Sequence, residues 1–342
     1  MTDKKPTPDK KKSEKSISQY IPYALGLLIL ITAVIGAIQL IRWNEGQEFI
    51  IDEDVDVDSE PEDFVFFMDP AQLYGDQYDG TLDILILGND TAAYDAGGTN
   101  IGEIIAEQTG ANVYNCAFIG SYMSEHPLDE DLAEDDNESE SDKRNPVDAF
   151  NFFWLSDSIQ TGDWTRQETA LAELPEGYDI EHYTEVLNVL KSIDYQKIDL
   201  LLIYYDGHDY LAKHPINDPT NMYSYHTIEG CFTGSYERYP INYPNMQHMF
   251  IAPTFCYVIN EDGTKEGCDI ADLGYGNLPT TLSILQAQTQ EYSVSYLDNF
   301  YGITINAETA DQYLLDDGIT PNDKGREMIA NRIVDFINRR IK

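Results

Sequence analysis

Basic residues are scarce in this 342-residue chain, which has 21 Lys and Arg against 61 Asp and Glu and a net charge of −40. Such an excess of negative charge repels the phosphates of nucleic acids, so we expect no nucleic-acid binding. The sequence also lacks a glycine-rich phosphate loop, a dinucleotide-binding fingerprint and any pair of cysteines at zinc-site spacing. These absences argue against a nucleotide or zinc cofactor, and no other cofactor is indicated.

Cysteine is also rare, with four residues in the chain. Cys256 and Cys268 flank a segment that predicts a loop or hairpin turning at Asp262-Gly263. A disulfide between them is one expectation for a protein outside the cytoplasm, and two free thiols are the other. Cys116 lies in a predicted buried strand and Cys231 in a predicted helix, so we expect both to be packed thiols.

The most apolar stretch of the chain is near its beginning. Residues 16–43 are predicted to form a transmembrane anchor, because residues 16–41 are uncharged, mostly apolar and long enough to cross a bilayer. The alternative, a cleaved signal peptide, requires a shorter apolar stretch followed by small residues. Six lysines within residues 1–15 place this tail in the cytoplasm. We therefore expect a single-pass protein of the cell membrane, of bacterial type, with its C-terminal domain outside the cell.

Two acidic segments divide the remainder of the chain. Residues 44–80 are predicted to be an acidic linker and lead-in, and residues 81–342 to be one domain with an acidic surface insertion at about 122–146. The alternating aspartates of the linker suggest a calcium loop. Such a loop also needs a turn glycine and a closing glutamate, and both are missing here, which favours a solvated spacer.

Short apolar segments alternate with amphipathic ones throughout the domain. Strands are predicted at 82–87, 111–119, 198–205, 249–254 and 294–297, and helices at 100–108, 181–193, 227–239, 279–292 and 322–341. This alternation predicts an α/β fold with a doubly wound, flavodoxin-like parallel sheet of about five strands. Functional residues of such sheets follow the C-terminal ends of the strands.

Four segments at these strand ends resemble, in order and spacing, the blocks of the SGNH/GDSL hydrolases, a family of lipase-like and acylhydrolase-like enzymes. They are Gly88-Asn89-Asp90, the segment 111–120 that ends in Gly120, the segment 200–209 that contains His208, and Asp317–Gly325. The resemblance covers roughly residues 82–341 and implies the fold of that family.

The residues that the family uses for chemistry are mostly replaced. The resemblance implies that Asp90 stands where the family has its nucleophilic serine, His208 where it has an oxyanion-binding asparagine, and Thr320 where it has the histidine base. Gly120 is retained as a backbone N–H donor to the oxyanion, and Asp317 as the carboxylate that orients the base. Loss of one triad member costs ~10⁴-fold in rate. The ordinary serine mechanism is therefore not expected.

Three functions remain open at this point. The favoured one is a non-catalytic domain, a pseudoenzyme, that binds a cell-envelope glycan or a partner protein at the former cleft. The second is an active esterase or acyltransferase on cell-wall carbohydrate, with rearranged residues drawn from Asp90, Thr91, His208 and Asp317. The third is a structural or adhesive surface protein.

Two local features have alternative interpretations. If Asp90, Asp206, His208, Asp209 and Asp317 converge, they suit a divalent cation or an acid/base pair; otherwise some of them brace loops. The tyrosines between 223 and 243 would stack on sugars or form a packed surface loop, and the second interpretation is favoured.

Overall fold

The computed structural model describes residues 61–94, 100–126 and 145–341. The predicted tail, the predicted transmembrane segment 16–43 and the linker up to residue 60 lie outside the described residues, as does the predicted insertion from 127 to 144. Among the residues that are described, no helix is both long and apolar enough to cross a bilayer.

The centre of the domain is a sheet of five parallel strands in the order β2-β1-β3-β4-β7. Two further strands, β5 and β6, pair with each other in an antiparallel hairpin. The strands in chain order are β1 Asp83–Gly88, β2 Asn112–Asn115, β3 Leu200–Tyr204, β4 Gln247–Ile251, β5 Tyr257–Ile259, β6 Lys265–Gly267 and β7 Ser295–Leu297. The predicted α/β fold with about five parallel strands is confirmed.

Helices lie before, between and after these strands. They are α1 Pro70–Tyr74, α2 Asp90–Ala93, α3 Ile101–Thr109, α4 Phe152–Thr161, α5 Thr165–Leu171, α6 Ile180–Ser192, α7 His208–Leu211, α8 Ile228–Tyr236, α9 Tyr239–Asn242, α10 Leu278–Glu291, α11 Asn299–Gly302, α12 Ala310–Tyr313 and α13 Asp323–Asn338. Short 3₁₀ turns lie at Gly75–Gln77, Pro146–Phe150 and Tyr195–Lys197.

Both faces of the sheet are covered, which explains why the strands read as continuous apolar runs. In β1, Ile84 and Ile86 point into one hydrophobic cluster, with α3 and α13. Leu85 and Leu87 point into the other cluster, with α4, α6, α8 and α10. A strand that is buried on both faces has no polar positions to alternate with apolar ones. The sheet is therefore doubly wound, as predicted.

Local signals set the ends of the helices. The side chain of Asn100 accepts a hydrogen bond from the Gly102 amide and begins α3, and Gly110 ends it in a left-handed conformation with φ of 73°. The side chain of Asn322 accepts hydrogen bonds from the amides of Lys324 and Gly325 and begins α13. These caps place the helix boundaries close to the predicted ones.

Several sequence predictions are refined or corrected by the structure. Within the predicted lead-in, Phe64 forms an antiparallel bridge with Tyr296. Part of the predicted surface insertion, residues 123–125, is buried. The hairpin predicted between Cys256 and Cys268 is present as β5 and β6, and the structure shows both cysteines in the reduced, unbonded state.

The tyrosine-rich segment is largely a packing element, as favoured. Tyr236 and Tyr239 are buried in the core, and Tyr225 packs against Phe153 and Trp154. Tyr223 is the exception and is exposed.

Candidate functional site

The candidate site lies where the loops that follow β1 and β3 meet. The strand order reverses here, because β1 pairs with β2 on one side and with β3 on the other. Gly88 allows the two strand ends to approach closely, since a Cβ at this position would lie 2.1 Å from the carbonyl oxygen of Tyr204. Crevices at such reversals are the usual ligand sites of doubly wound sheets.

Asn89 and Asp206 join the two loops. The Asn89 side-chain amide donates to Asp206 Oδ1 at 2.8 Å, and the Asp206 backbone amide donates to Asn89 Oδ1 at 2.8 Å. Both residues are buried. This reciprocal pair fixes the Asp206 carboxylate in one position.

The Asp206 carboxylate accepts further hydrogen bonds on both oxygens. Thr91 donates to Oδ2 from its backbone amide at 3.1 Å and from its hydroxyl at 2.8 Å. His208 contacts Oδ1 through its backbone amide at 3.1 Å and through Nδ1 at 2.5 Å. Burial raises the pKa of Asp206, but the charge of His208 and these donors outweigh it and lower the pKa to about 2. Asp206 is therefore a fixed anion.

His208 is half-buried beside this anion. Burial lowers the pKa of the imidazole, but the charge and hydrogen bond of Asp206, together with the charge of Asp90, raise it to about 10. His208 is therefore an imidazolium at neutral pH. In that form it donates hydrogen bonds and attracts anions, but it cannot accept a proton from an attacking group.

Asp90 lies at the start of α2, where the resemblance places a nucleophile. Its Oδ2 accepts the backbone N–H of Gly120 at 2.7 Å. Burial and the charge of Asp206 raise the pKa of Asp90, His208 and the Gly120 amide lower it, and the result is about 6. Asp90 is thus mainly a carboxylate at neutral pH, and it occupies the N–H that the family offers to an oxyanion.

Gly120 itself is held in a conformation that suits glycine. Its φ is 80°, and a Cβ here would lie 2.7 Å from Cε1 of Tyr178. The Gly120 N–H, which the resemblance offers to an oxyanion, donates here to Asp90.

A second buried network lies next to this site. Asp209 accepts hydrogen bonds from the amides of Met123 and Ser124 at 2.8 and 2.9 Å, and from the Ser124 hydroxyl at 2.7 Å. His214 Nδ1 lies 2.8 Å from the Ser124 hydroxyl and 3.2 Å from Asp209 Oδ1. Ser124, His214 and Asp209 are all buried. They brace residues 123–124 against α7.

Sequence reasoning missed Ser124 and His214. The two residues are 90 positions apart, and Ser124 was placed in the surface insertion. The sequence signal that could have found this network is Asp209, which follows β3. One interpretation of Asp209 is that it braces a loop, and its partners in that loop are Ser124 and His214.

The structure corrects the prediction that Asp317 is the carboxylate that orients a base. Asp317 is exposed, and its Oδ1 accepts the amides of Ile319 and Thr320 at 3.0 and 2.9 Å. Asp317 therefore stabilises its own turn, whereas the carboxylate that orients His208 is Asp206. Thr320 is buried.

The structure also bears on the proposed cation site. Within residues 61–94, 100–126 and 145–341, no group of three or more His, Cys, Asp or Glu side chains is arranged to hold a metal ion. The carboxylates near His208 are compensated by the imidazolium and by backbone amides.

No protein-family model and no curated protein matches this chain. Among solved structures, the chain is similar to a protein from Lactobacillus plantarum, with 13% identity, a TM-score of 0.48 and coverage of 77% of this chain and 99% of that one. It is also similar to a GDSL-like lipase from Bacteroides ovatus, with 12% identity, a TM-score of 0.41 and coverage of 76% and 100%. A carbohydrate acetylesterase from Sinorhizobium meliloti has 11% identity, a TM-score of 0.38 and coverage of 76% and 99%. Likenesses at such identities and TM-scores do not assign an activity to this chain.

Proposed function

We propose that this chain is an SGNH-hydrolase-like protein that lacks serine-hydrolase chemistry and binds a cell-envelope glycan at the crevice beyond β1 and β3. Residues 16–43 would anchor it in the cell membrane, with the domain outside the cell. The observation that carries the proposal is the hydrogen bond from the Gly120 amide to Asp90 Oδ2, at 2.7 Å.

This contact opposes ester hydrolysis. An oxyanion hole works because its N–H donors face the position where negative charge develops in the transition state. Here the donor already faces the Asp90 carboxylate, which is mainly ionised at neutral pH and repels a second anion. Asp90 therefore removes both the nucleophilic hydroxyl and the free N–H donor.

His208, the histidine at the candidate site, is also unsuited to act as a general base. A general base works best with a pKa near the working pH. Because Asp206 and Asp90 raise the pKa of His208 to about 10, the imidazole is already protonated at neutral pH. It therefore cannot activate a hydroxyl or a water molecule under those conditions.

The side chains at the crevice suit a polar, uncharged ligand. Asp90 and His208 are half-buried and offer an acceptor and a donor side by side. The rings of Tyr122 and Tyr178 are also half-buried beside them, and Tyr122 lies edge-on to His208 at 6.5 Å. Sugars combine hydroxyl groups with apolar ring faces and match this set, whereas anionic polymers are repelled by the acidic surface.

The loss of catalysis is tested by p-nitrophenyl acetate hydrolysis with the full chain in detergent. We expect the same rate for wild type and His208→Gln at pH 7. Turnover that His208→Gln or Asp90→Asn abolishes would show that the chain is an enzyme.

The binding part is tested by calorimetry with oligomers of N-acetylglucosamine. We expect wild-type binding that His208→Gln weakens at least tenfold, while Asp317→Asn, a change in an exposed turn, leaves the affinity unchanged. Absence of binding, or equal affinities for wild type and His208→Gln, would reject the glycan proposal.

The second candidate function is an active esterase or acyltransferase on carbohydrate. The carboxylate–imidazole pair of Asp206 and His208 favours it, with the Thr91 hydroxyl 2.8 Å from Asp206 Oδ2. However, Thr91 is 1% exposed, and its hydroxyl donates to Asp206. Such an enzyme would gain activity as the pH rises toward 10 and lose it in Thr91→Val. A flat pH profile that Thr91→Val leaves unchanged would exclude this function.

The membrane anchor is tested by cell fractionation. The full chain is expected in the membrane pellet, and a variant without residues 1–43 in the soluble fraction. Recovery of the full chain in the soluble fraction would reject the anchor.

A further inference from the structure

We propose that Cys256 and Cys268 form a disulfide that locks the β5–β6 hairpin beneath the loops of the candidate site. The two residues lie just beyond the last pair of the hairpin ladder, Tyr257 and Gly267. The Cys268 amide donates to the Cys256 carbonyl at 3.0 Å, and the Cys256 amide donates to Cys268 Sγ at 3.1 Å. They are therefore cross-strand neighbours.

The spacing of such neighbours suits a disulfide. Facing residues of an antiparallel pair have Cα atoms ~4.5–5.5 Å apart, which lies within the range of ~4.4–6.8 Å that disulfides use. The Cys268 sulfur already lies against the backbone of Cys256. Closure of the bond therefore requires rotation of the side chains and no displacement of the strands.

The burial of the two thiols determines when the bond would form. Both residues are buried, and the hydrogen bond that the Cys256 thiol donates to Cys268, together with burial, raises the pKa of Cys256. A buried thiol with a raised pKa is a poor nucleophile. Formation is therefore expected while the hairpin is still open during folding, and the completed bond is shielded from reductants.

The reaction is a thiol–disulfide exchange with a disulfide compound or a disulfide-bearing protein as the oxidant. One cysteine loses its proton and attacks a sulfur of the oxidant, which releases one thiol and leaves a mixed disulfide. The second cysteine then loses its proton, attacks the sulfur of the first and releases the other thiol of the oxidant. In total, two cysteines lose two protons and two electrons, and the oxidant gains them.

The β5–β6 hairpin contacts two loops of the candidate site, so the proposed disulfide would affect both. The Tyr257 amide donates to the Gly318 carbonyl at 2.8 Å, and a Cβ on Gly318 would lie 3.1 Å from that of Tyr257. On the other side, a Cβ on Gly207 would lie 3.2 Å from Cys256 Sγ. The hairpin thus supports both the turn that contains Asp317 and the loop that presents His208. A covalent link at its base holds these two supports together.

The chain provides its own controls. Cys116 and Cys231 are also buried free thiols, but Cys116 follows β2 and Cys231 lies in α8, where its Sγ donates to the Met123 carbonyl at 2.7 Å. Neither faces another cysteine across a strand pair. Both are therefore expected to remain thiols under conditions that oxidise the hairpin pair.

The pairing is tested by differential alkylation of the full chain after refolding with oxidised glutathione. Iodoacetamide is added in denaturant with and without prior reduction, and the peptides are identified by mass spectrometry. We expect alkylation of Cys116 and Cys231 alone before reduction, and of all four cysteines after it. Alkylation of all four cysteines without reduction, or a link that includes Cys116 or Cys231, would overturn the proposal.

The locking role is tested on the same material by thermal unfolding. Reduction of wild type is expected to lower the Tm by roughly 5 °C, because the link constrains the unfolded chain. Cys256→Ser/Cys268→Ser should lose this response to reductant, and Cys116→Ser should retain it. A wild-type Tm that does not change after verified reduction of the bond would overturn the locking role, and this measurement does not depend on the folding of a variant.

Discussion

The loop after β3 and the loop before α13 both carry an aspartate that the sequence offers as a candidate for the site, yet the two loops have different roles. Asp206 is buried and binds the imidazole of His208, the side chain of Asn89 and both donors of Thr91. Asp317 is exposed and binds the amides of its own turn. The partners of a carboxylate, and not its place in a motif, decide its chemistry.

Asp206 and Asp317 should also differ in how much their carboxylates contribute to the free energy of unfolding. A buried carboxylate that pairs with a cation is very costly to remove, because the cation is left without compensation. A carboxylate on an exposed turn gives up bonds that water can replace. The two loops should therefore respond very differently to the same change from Asp to Asn.

The largest effect is expected for Asp206→Asn. The change keeps the size of the side chain but removes the charge that compensates His208, and an amide cannot accept every bond that the carboxylate accepts. We expect a loss of about 3–5 kcal/mol in the free energy of unfolding, measured by urea unfolding with tryptophan fluorescence.

The matched control is Asp317→Asn. An exposed turn residue should lose about 0.5 kcal/mol. If the two variants were equally destabilised, the contrast between the loops would be wrong, and Asp317 would have a buried partner.

The sequence predicted the fold well for a physical reason. Strands that are buried on both faces must be apolar throughout, so segments such as 82–87 and 198–205 were recognisable without any knowledge of their neighbours. Helix ends were equally local, because Asn100 and Gly110 cap α3 by contacts within one turn. The strand predicted at 111–119 is longer than β2, which ends at Asn115, although the amides of Cys116 and Phe118 still donate to carbonyls of β1. The strands predicted at 198–205 and 249–254 also extend past the ends of β3 and β4.

The site was predictable in position but not in its pairings. Asp90 and His208 follow strand ends, so their location at one edge of a parallel sheet was expected. The partner of His208 was not, because Asp206 and Asp317 both lie in predicted loops and the sequence does not show that Asp206 is buried and Asp317 exposed. The contact between Ser124 and His214 joins distant segments and leaves no local pattern in the sequence.

A smaller effect is expected for Gly120→Ala, which tests how tightly the amide that faces Asp90 is held. The substitution places a Cβ in a left-handed conformation and 2.7 Å from the Tyr178 ring. We expect a loss of about 2 kcal/mol in the free energy of unfolding. Gly110→Ala is the control, because Gly110 has a φ of 73° and open space around its Cβ position. It should lose about 1 kcal/mol, and an equal loss in both variants would show that Tyr178 does not restrain Gly120.

The most gradual effect is a dependence on pH that belongs to the β3 loop and is absent from the Asp317 loop. The pKa of His208 is raised to about 10, above its unfolded value, so its contribution to stability is complete below pH ~6.5 and is lost as the pH rises toward 10. Asp206, with a pKa of about 2, and Asp90, with a pKa of about 6, are both largely ionised above pH 7 and do not disturb this window.

Between pH 7 and 9, the difference in unfolding free energy between wild type and His208→Gln should fall by about 1 kcal/mol per pH unit. The difference between wild type and Asp317→Asn should stay constant over the same range. A difference for His208→Gln that is also constant would mean that His208 is neutral in the folded protein, and the argument against its action as a base would fail with it.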